Sequence, residues 1–159
     1  MSDSKIFIPV NMRQVSYCPG AVGVLALAGM ATHCQIGIMY DPSNIRSIYC
    51  RFDGYPSRGV GDDLLSYYNR LDLAEALIAL GSLRSLYSSL EETRKESYSV
   101  VENAPLQIAI STSVEDYIKA CRKVFRASYA YLFNVAENRW EINSYYLQPM
   151  GFVPLVFGV

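Results

Sequence analysis

Residues 34–50 read CQIGIMYDPSNIRSIYC, two alternating runs on either side of a turn. Ile36, Ile38 and Tyr40 alternate with Gln35, Gly37 and Met39, the period of a half-buried strand. Asp41-Pro-Ser-Asn44 carries turn chemistry, because Asp and Asn side chains bond their own backbone and Pro fixes φ. In the returning run Ile48, Cys50 and Phe52 share one face, and Tyr49 and Arg51 the other. The stretch is a β-hairpin. A second one closes the pattern: Tyr129, Tyr131, Phe133 and Val135 alternate, residues 136–139 turn, and Trp140, Ile142 and Ser144 answer.

Between the hairpins the period becomes helical. Val60, Leu64, Leu65 and Tyr68 fall on one side of a helix that breaks at residues 69–72. Asp72 and Glu75 resemble a capping box, Leu73, Leu77 and Leu80 make an apolar stripe, and Gly81 is a stop. Residues 82–90 have room for one more turn, and the charged run 91–96 reads as a solvated face. Short extended pieces are expected around Pro105. Thr112 and Glu115 repeat the capping box, and Val114, Tyr117, Ile118, Cys121 and Phe125 share an apolar face. The reverse of that helix carries Lys119, Arg122, Lys123 and Arg126, the best electrostatic patch of the chain. This order describes an α+β domain: an antiparallel sheet from the N- and C-terminal hairpins, packed against three or more helices.

The 159 residues fit one domain, and a formal net charge of -1 argues against binding nucleic acid by phosphate neutralisation. Thirteen tyrosines against one tryptophan suit half-buried strands first and a binding surface second. Cys18, Cys34, Cys50 and Cys121 form no CxxC pair and His33 is the only histidine, so no metal site or cofactor is expected. Cys34 and Cys50 stand on the two arms of the first hairpin and are expected as free thiols. The apolar stretch 21–28 follows Lys5 and Arg13 and contains Ala26-Leu-Ala28, the look of a secretory leader, but residues 6–10 do not read as an n-region and Pro19, Gly20, Gly23 and Gly29 interrupt the run. No run approaches the roughly 18 uninterrupted apolar residues of a membrane span. The tail residues Phe152, Val153, Leu155, Val156 and Phe157 are too apolar to remain free in water, so they cover the core or join a second copy; a homo-oligomer is expected.

The densest chemistry lies in residues 48–65, IYCRFDGYPSRGVGDDLL. Asp53, Asp62 and Asp63 supply carboxylates for acid and base work, yet no nucleophile and base accompany them, so an enzyme is not expected. Ser57-Arg-Gly-Val-Gly61 precedes a helix whose free N–H groups suit an anion, but Asp62 and Asp63 occupy the first turn and repel one. As architecture, Asp53-Gly54 turns the chain, Pro56 fixes the exit, and Gly59 or Gly61 admits it to the helix; Gly54 is the residue expected to need positive φ. That leaves Arg51, Phe52, Asp53, Tyr55 and Arg58 as candidate binding residues, with Lys119, Arg122, Lys123 and Arg126 as a second set, since Tyr and Arg are enriched at interaction hot spots.

The stretches IGIMYD, SIYCRFDGYPSRGVGDDLLSYYN, LIALGSLRSL and YAYLFNVAENRW resemble a family of small proteins common in tailed bacteriophages and prophages. The pattern there reads IYCHWDGYPxxxGxxLLxxY, and the resemblance runs from about Met30 to Trp140. Arg51 and Phe52 stand where the pattern has His and Trp, which removes any role for that histidine. Met30-Ala-Thr-His-Cys resembles the usual beginning of such proteins, implying an N-terminal extension (1–29) packed on or beside a single domain (30–149), followed by the apolar tail (150–159). The resemblance implies a phage origin and the host cytoplasm. By analogy with small phage proteins, the expected function is non-enzymatic: binding and neutralising a bacterial host defence protein, such as a CRISPR effector, through a protein interface. The alternative is a sponge for a defence signalling nucleotide, with Tyr55 or Phe52 stacking on the base and Arg51 and Arg58 holding phosphate. Neither reading involves direct nucleic-acid or membrane binding.

Overall fold

The computed structural model describes residues 31–144 and 151–158; the leader-like stretch, the extension 1–29 and Cys18 lie outside them. The first hairpin forms as its alternation dictates, from β1 (Cys34–Asp41) and β2 (Asn44–Cys50), with Cys34 opposite Cys50 and Ile36 opposite Ile48. Its turn is held by Asp41, whose Oδ1 accepts from the Ser43 amide at 2.8 Å and hydroxyl at 2.6 Å. The chain then runs through α1 (Val60–Tyr67), α2 (Leu71–Ile78), α3 (Leu90–Arg94), α4 (Tyr98–Val101), β3 (Ala109–Ser111) and α5 (Val114–Lys119). α5 continues as a π-helical turn over Ala120–Val124, and β4 (Tyr129–Asn134), β5 (Arg139–Ser144) and β6 (Val153–Pro154) follow.

The six strands form one sheet in the order β3-β2-β1-β4-β5-β6, and the fold is α+β. The sheet is mixed, where an antiparallel one is expected from the hairpins: β1 and β4 pair in parallel, Cys34 beside Tyr129 and Ile38 beside Phe133. The helical segment between the hairpins is long enough for the crossover that parallel pairing requires, and it returns the chain to the same end of the sheet. One face buries Ile36, Ile38, Ile48, Tyr131, Phe133 and Trp140 against α1 and α2. The other packs Ile45, Ala130 and Leu132 against Tyr117 and Cys121 of α5 and its π turn. Cys34, Cys50 and Cys121 are free and buried. No helix among the described residues is long and apolar enough to cross a membrane.

Several local details differ from the sequence reading. α2 starts at Leu71 after an extended Arg70 with no side-chain cap; Asp72 pairs instead with Arg70 at 2.8 Å, and Glu75 accepts from Tyr40 Oη at 2.8 Å. α5 is capped by Ser113, whose Oγ accepts from the Asp116 amide at 3.0 Å, and not by Thr112. Residues 82–89 are not helical, and the charged run forms α3, capped by Ser89. Leu83 bridges Cys50 on one side and Ser97 on the other, extending the sheet locally.

The tail packs on its own chain. Phe152 stacks on Tyr117 with ring centroids 6.1 Å apart, β6 pairs with β5, and Leu155 is buried with its amide donating to the Trp140 carbonyl at 3.0 Å. Val153, Val156 and Phe157 stay exposed. Leu155→Ala is expected to cost about 2 to 3 kcal/mol in a thermal or urea melt, the loss for a buried leucine. A variant as stable as the parent would mean that the tail does not close the core.

Candidate functional site

The chain leaves β2 into a corner whose conformation is fixed almost entirely by backbone hydrogen bonds. Arg51 and Phe52 amides donate to the Leu83 and Arg84 carbonyls at 3.0 and 2.9 Å, and the Gly54 amide to Thr32 at 2.9 Å. Val60 and Gly61 amides, at the mouth of α1, donate back to the Asp53 and Tyr55 carbonyls at 2.8 and 3.1 Å. Tyr131 of β4 donates from its hydroxyl to the Gly54 carbonyl at 2.7 Å, which ties the corner to the sheet. Asp62 Oδ2 accepts from the Arg58 amide at 2.7 Å. The Arg58, Val60 and Gly61 amides at this helix start are thus already bonded, which argues against the cradle reading.

The left-handed conformations in the corner belong to Asp53, with φ of 58°, and Arg58, with φ of 57°. Gly54, expected to need positive φ, does not adopt it; a Cβ there would lie 2.7 Å from the Thr32 carbonyl oxygen and 2.9 Å from Cys34 Cβ. Gly59 and Gly61 are likewise required by close approach, to the carbonyls of Asp53 and Tyr55 and to the backbone of Pro56.

This rigid corner borders a cavity of about 330 Å3 lined by Asp53, Arg58, Asp62, Asp63, Tyr67 and Leu86, among others. Arg58, Asp53 and Tyr55 are exposed, and Tyr67 and Tyr87 project 48% and 46% of their surface into solvent. The structure does not bring the whole candidate set together. Arg51 and Phe52 are half-buried away from the cavity, with the guanidinium 5.1 Å from the Phe52 ring centre, and Tyr55 lies against Tyr129. Arg51 and Arg58 therefore do not line one pocket, as a shared phosphate would need.

The second set is also divided. Lys119 pairs with Glu115 at 3.3 Å, while Arg122 is half-buried and reaches Asn143 on β5 at 3.4 Å. The π turn shifts the helical phase after Lys119, and Arg126 lies beyond the helix end at φ of 51°. Lys119, Arg122, Lys123 and Arg126 thus do not form one basic helix face; Lys123 and Arg126 remain as exposed cations. His33 is structural: its Nδ1 lies 2.9 Å from the Arg51 carbonyl and 2.8 Å from the Tyr49 hydroxyl, and burial pushes its pKa below the ordinary 6.5.

Tyr67, Tyr87 and Tyr98 were not singled out by sequence reasoning. Tyr67 was within reach of it, because the helical period that sends Tyr68 inward sends its neighbour outward; Tyr87 lies in an irregular segment and Tyr98 opens the short helix α4, neither with such a signal.

No protein-family model, curated protein or solved structure matches the chain.

What the site can do follows from its charges. Burial, then the charges of Asp62 and Asp53, push the Asp63 carboxyl above its ordinary range. No group of three His, Cys, Asp or Glu among the described residues is placed to hold a metal ion. Since the folded protein holds the Asp63 proton more tightly than the unfolded chain does, ionised Asp63 subtracts stability above its folded pKa. The deficit shrinks as pH falls below that value and is gone below the unfolded carboxylate pKa. Asp63→Asn is expected to raise the melting temperature at about pH 7 and to change it little at about pH 3, below the unfolded carboxylate pKa. The same difference at both pH values would mean that Asp63 acts through packing and not through charge.

Proposed function

We propose that this is a phage protein that, without catalysing a reaction, disables a bacterial host defence component, such as a CRISPR effector, in the host cytoplasm. The proposed means is a protein interface centred on the corner. The observation that carries the interface is the corner itself: a backbone locked by its own hydrogen bonds, presenting Tyr55 to solvent and Arg58 and Tyr67 at a concave surface. Tyrosine supplies a large contact area at low conformational-entropy cost and arginine a fork of hydrogen-bond donors, and both are enriched at interface hot spots. The carboxylates of Asp53, Asp62 and Asp63 favour a cationic side chain of a partner over a phosphate at this place. The phage and defence parts of the proposal rest on the sequence resemblance and on analogy.

The test is a protection assay. Bacteria carrying a defence system that restricts a test phage are expected to lose restriction when they express the protein, and to keep it when they express Tyr55→Ala or Arg58→Ala. No protection across a panel of defence systems would contradict the proposal. Native mass spectrometry of protein purified from infected cells separates the nucleotide sponge, which would carry added mass, from the protein interface, which would not.

A further inference from the structure

The cavity at the corner is lined by three kinds of surface. Val60 and Leu86, both buried, supply apolar contact, and Tyr67 supplies an aromatic ring that stands half in solvent. Asp53, Asp62 and Asp63 line the same cavity with Arg58, three formal negative charges against one positive. Among the described residues none of these four side chains takes part in an ion pair. Oδ2 of Asp62 accepts from the Arg58 amide, while its buried Oδ1 accepts no hydrogen bond. Burial, then the charges of Asp62 and Asp53, make Asp63 hold its proton more tightly, so the carboxylates repel one another and Arg58 leaves that repulsion in place.

We propose that this cavity is the socket for one arginine side chain of the partner protein, an inference that rests on the corner interface and names the chemistry it takes. Charge complementarity selects a cation, since the lining carries a formal charge of -2, that is -3 from the aspartates and +1 from Arg58. The apolar contact and the tyrosine select a guanidinium over an ammonium. A guanidinium is planar, weakly hydrated and stacks on aromatic faces, whereas an ammonium keeps its water. Its fork of donors also serves two carboxylates at once, which a point charge does less well. A volume of about 330 Å3 lies at the small end for ligand pockets and suits a single long side chain. Two features oppose the cation. Arg58 is exposed, so solvent screens its charge, and the start of α1 already has Asp62 and Asp63 in its first turn to offset the helix dipole.

The full chain, labelled with 15N, would be titrated at about pH 7 with Nα-acetyl-arginine amide, Nα-acetyl-lysine amide and sodium chloride at matched ionic strength, while the Asp62, Asp63 and Tyr67 amide resonances are followed. They are expected to move saturably with the arginine compound, to respond to the lysine compound with an affinity roughly threefold lower or less, and not to respond to sodium chloride. Asp63→Asn keeps the shape of the side chain and is expected to melt higher than the parent, so a folding failure cannot mimic its effect. It is expected to lower the arginine affinity by roughly three- to tenfold, the worth of one hydrogen bond. Glu91→Gln, exposed on α3 and outside the cavity, removes the same charge and is expected to titrate like the parent. An arginine response no different from sodium chloride, equal affinity for the lysine compound, or Asp63→Asn and Glu91→Gln titrating alike would overturn the socket. The titration contains no host protein, so its failure is distinct from that of the protection assay: protection without a saturating arginine response overturns the socket and leaves the corner interface standing, whereas a saturating response without protection supports the socket and contradicts the defence reading.

Discussion

Gly61→Ala is expected to destabilise the protein by about 3 kcal/mol, a drop of roughly 10 °C in melting temperature for a chain of this size. The added Cβ meets the carbonyl oxygen, Cα and carbonyl carbon of Pro56, all backbone atoms of the corner. Backbone cannot swing aside as the end of a flexible side chain does, so relief requires the α1 entry to move and the bond from the Gly61 amide to the Tyr55 carbonyl to lengthen or break. Gly54→Ala is expected to behave similarly, against Thr32 and Cys34, and Gly54→Val to be worse. Gly151→Ala is the control, since nothing lies within 4 Å of its added methyl group, and it should melt with the parent. If Gly61→Ala and Gly151→Ala melted alike, the corner would be a pliable loop and its value as a rigid platform would be lost.

The second large effect is expected in binding and not in stability. Tyr55→Ala, Arg58→Ala and Tyr67→Ala remove exposed side chains, so each should leave folding within about 1 kcal/mol of the parent. Each is expected to weaken partner binding by about 2 kcal/mol, roughly thirtyfold, if these residues are the interface anchors. Thermal melting beside a binding assay on the same preparations separates the two quantities. Variants that bind like the parent would reduce the motif to architecture and move the interface to Lys123 and Arg126 at the π turn.

The hairpins were legible because each arm alternates and each turn has its own chemistry, and α1 because Val60, Leu64 and Tyr68 keep the helical period into the core. The parallel junction of β1 with β4 was not, since alternation reports which face a strand buries and not which strand lies beside it. The cap at Ser113 in place of Thr112 reflects two adjacent residues with the same capping chemistry. At the corner the turn was legible, but the left-handed residue is Asp53 and the close-packed one is Gly54, a division between dihedral and steric demand that one dipeptide does not reveal. Tyr55 and Arg58 project as the motif suggests, whereas Arg51 is half-buried over the Phe52 ring and away from the cavity. Tyrosine and arginine at a turn therefore marked exposed side chains without showing which of them share a surface.

The most direct measurement is photo-crosslinking from the corner. A photoreactive residue replaces Tyr67 in one preparation and exposed Tyr40, on the hairpin and bonded to Glu75, in another; both are irradiated in infected host cells and the adducts identified by mass spectrometry. A host defence protein joined at position 67 and not at position 40 is the predicted result. Adducts at neither position, or the same adducts at both, would contradict a partner interface at the corner.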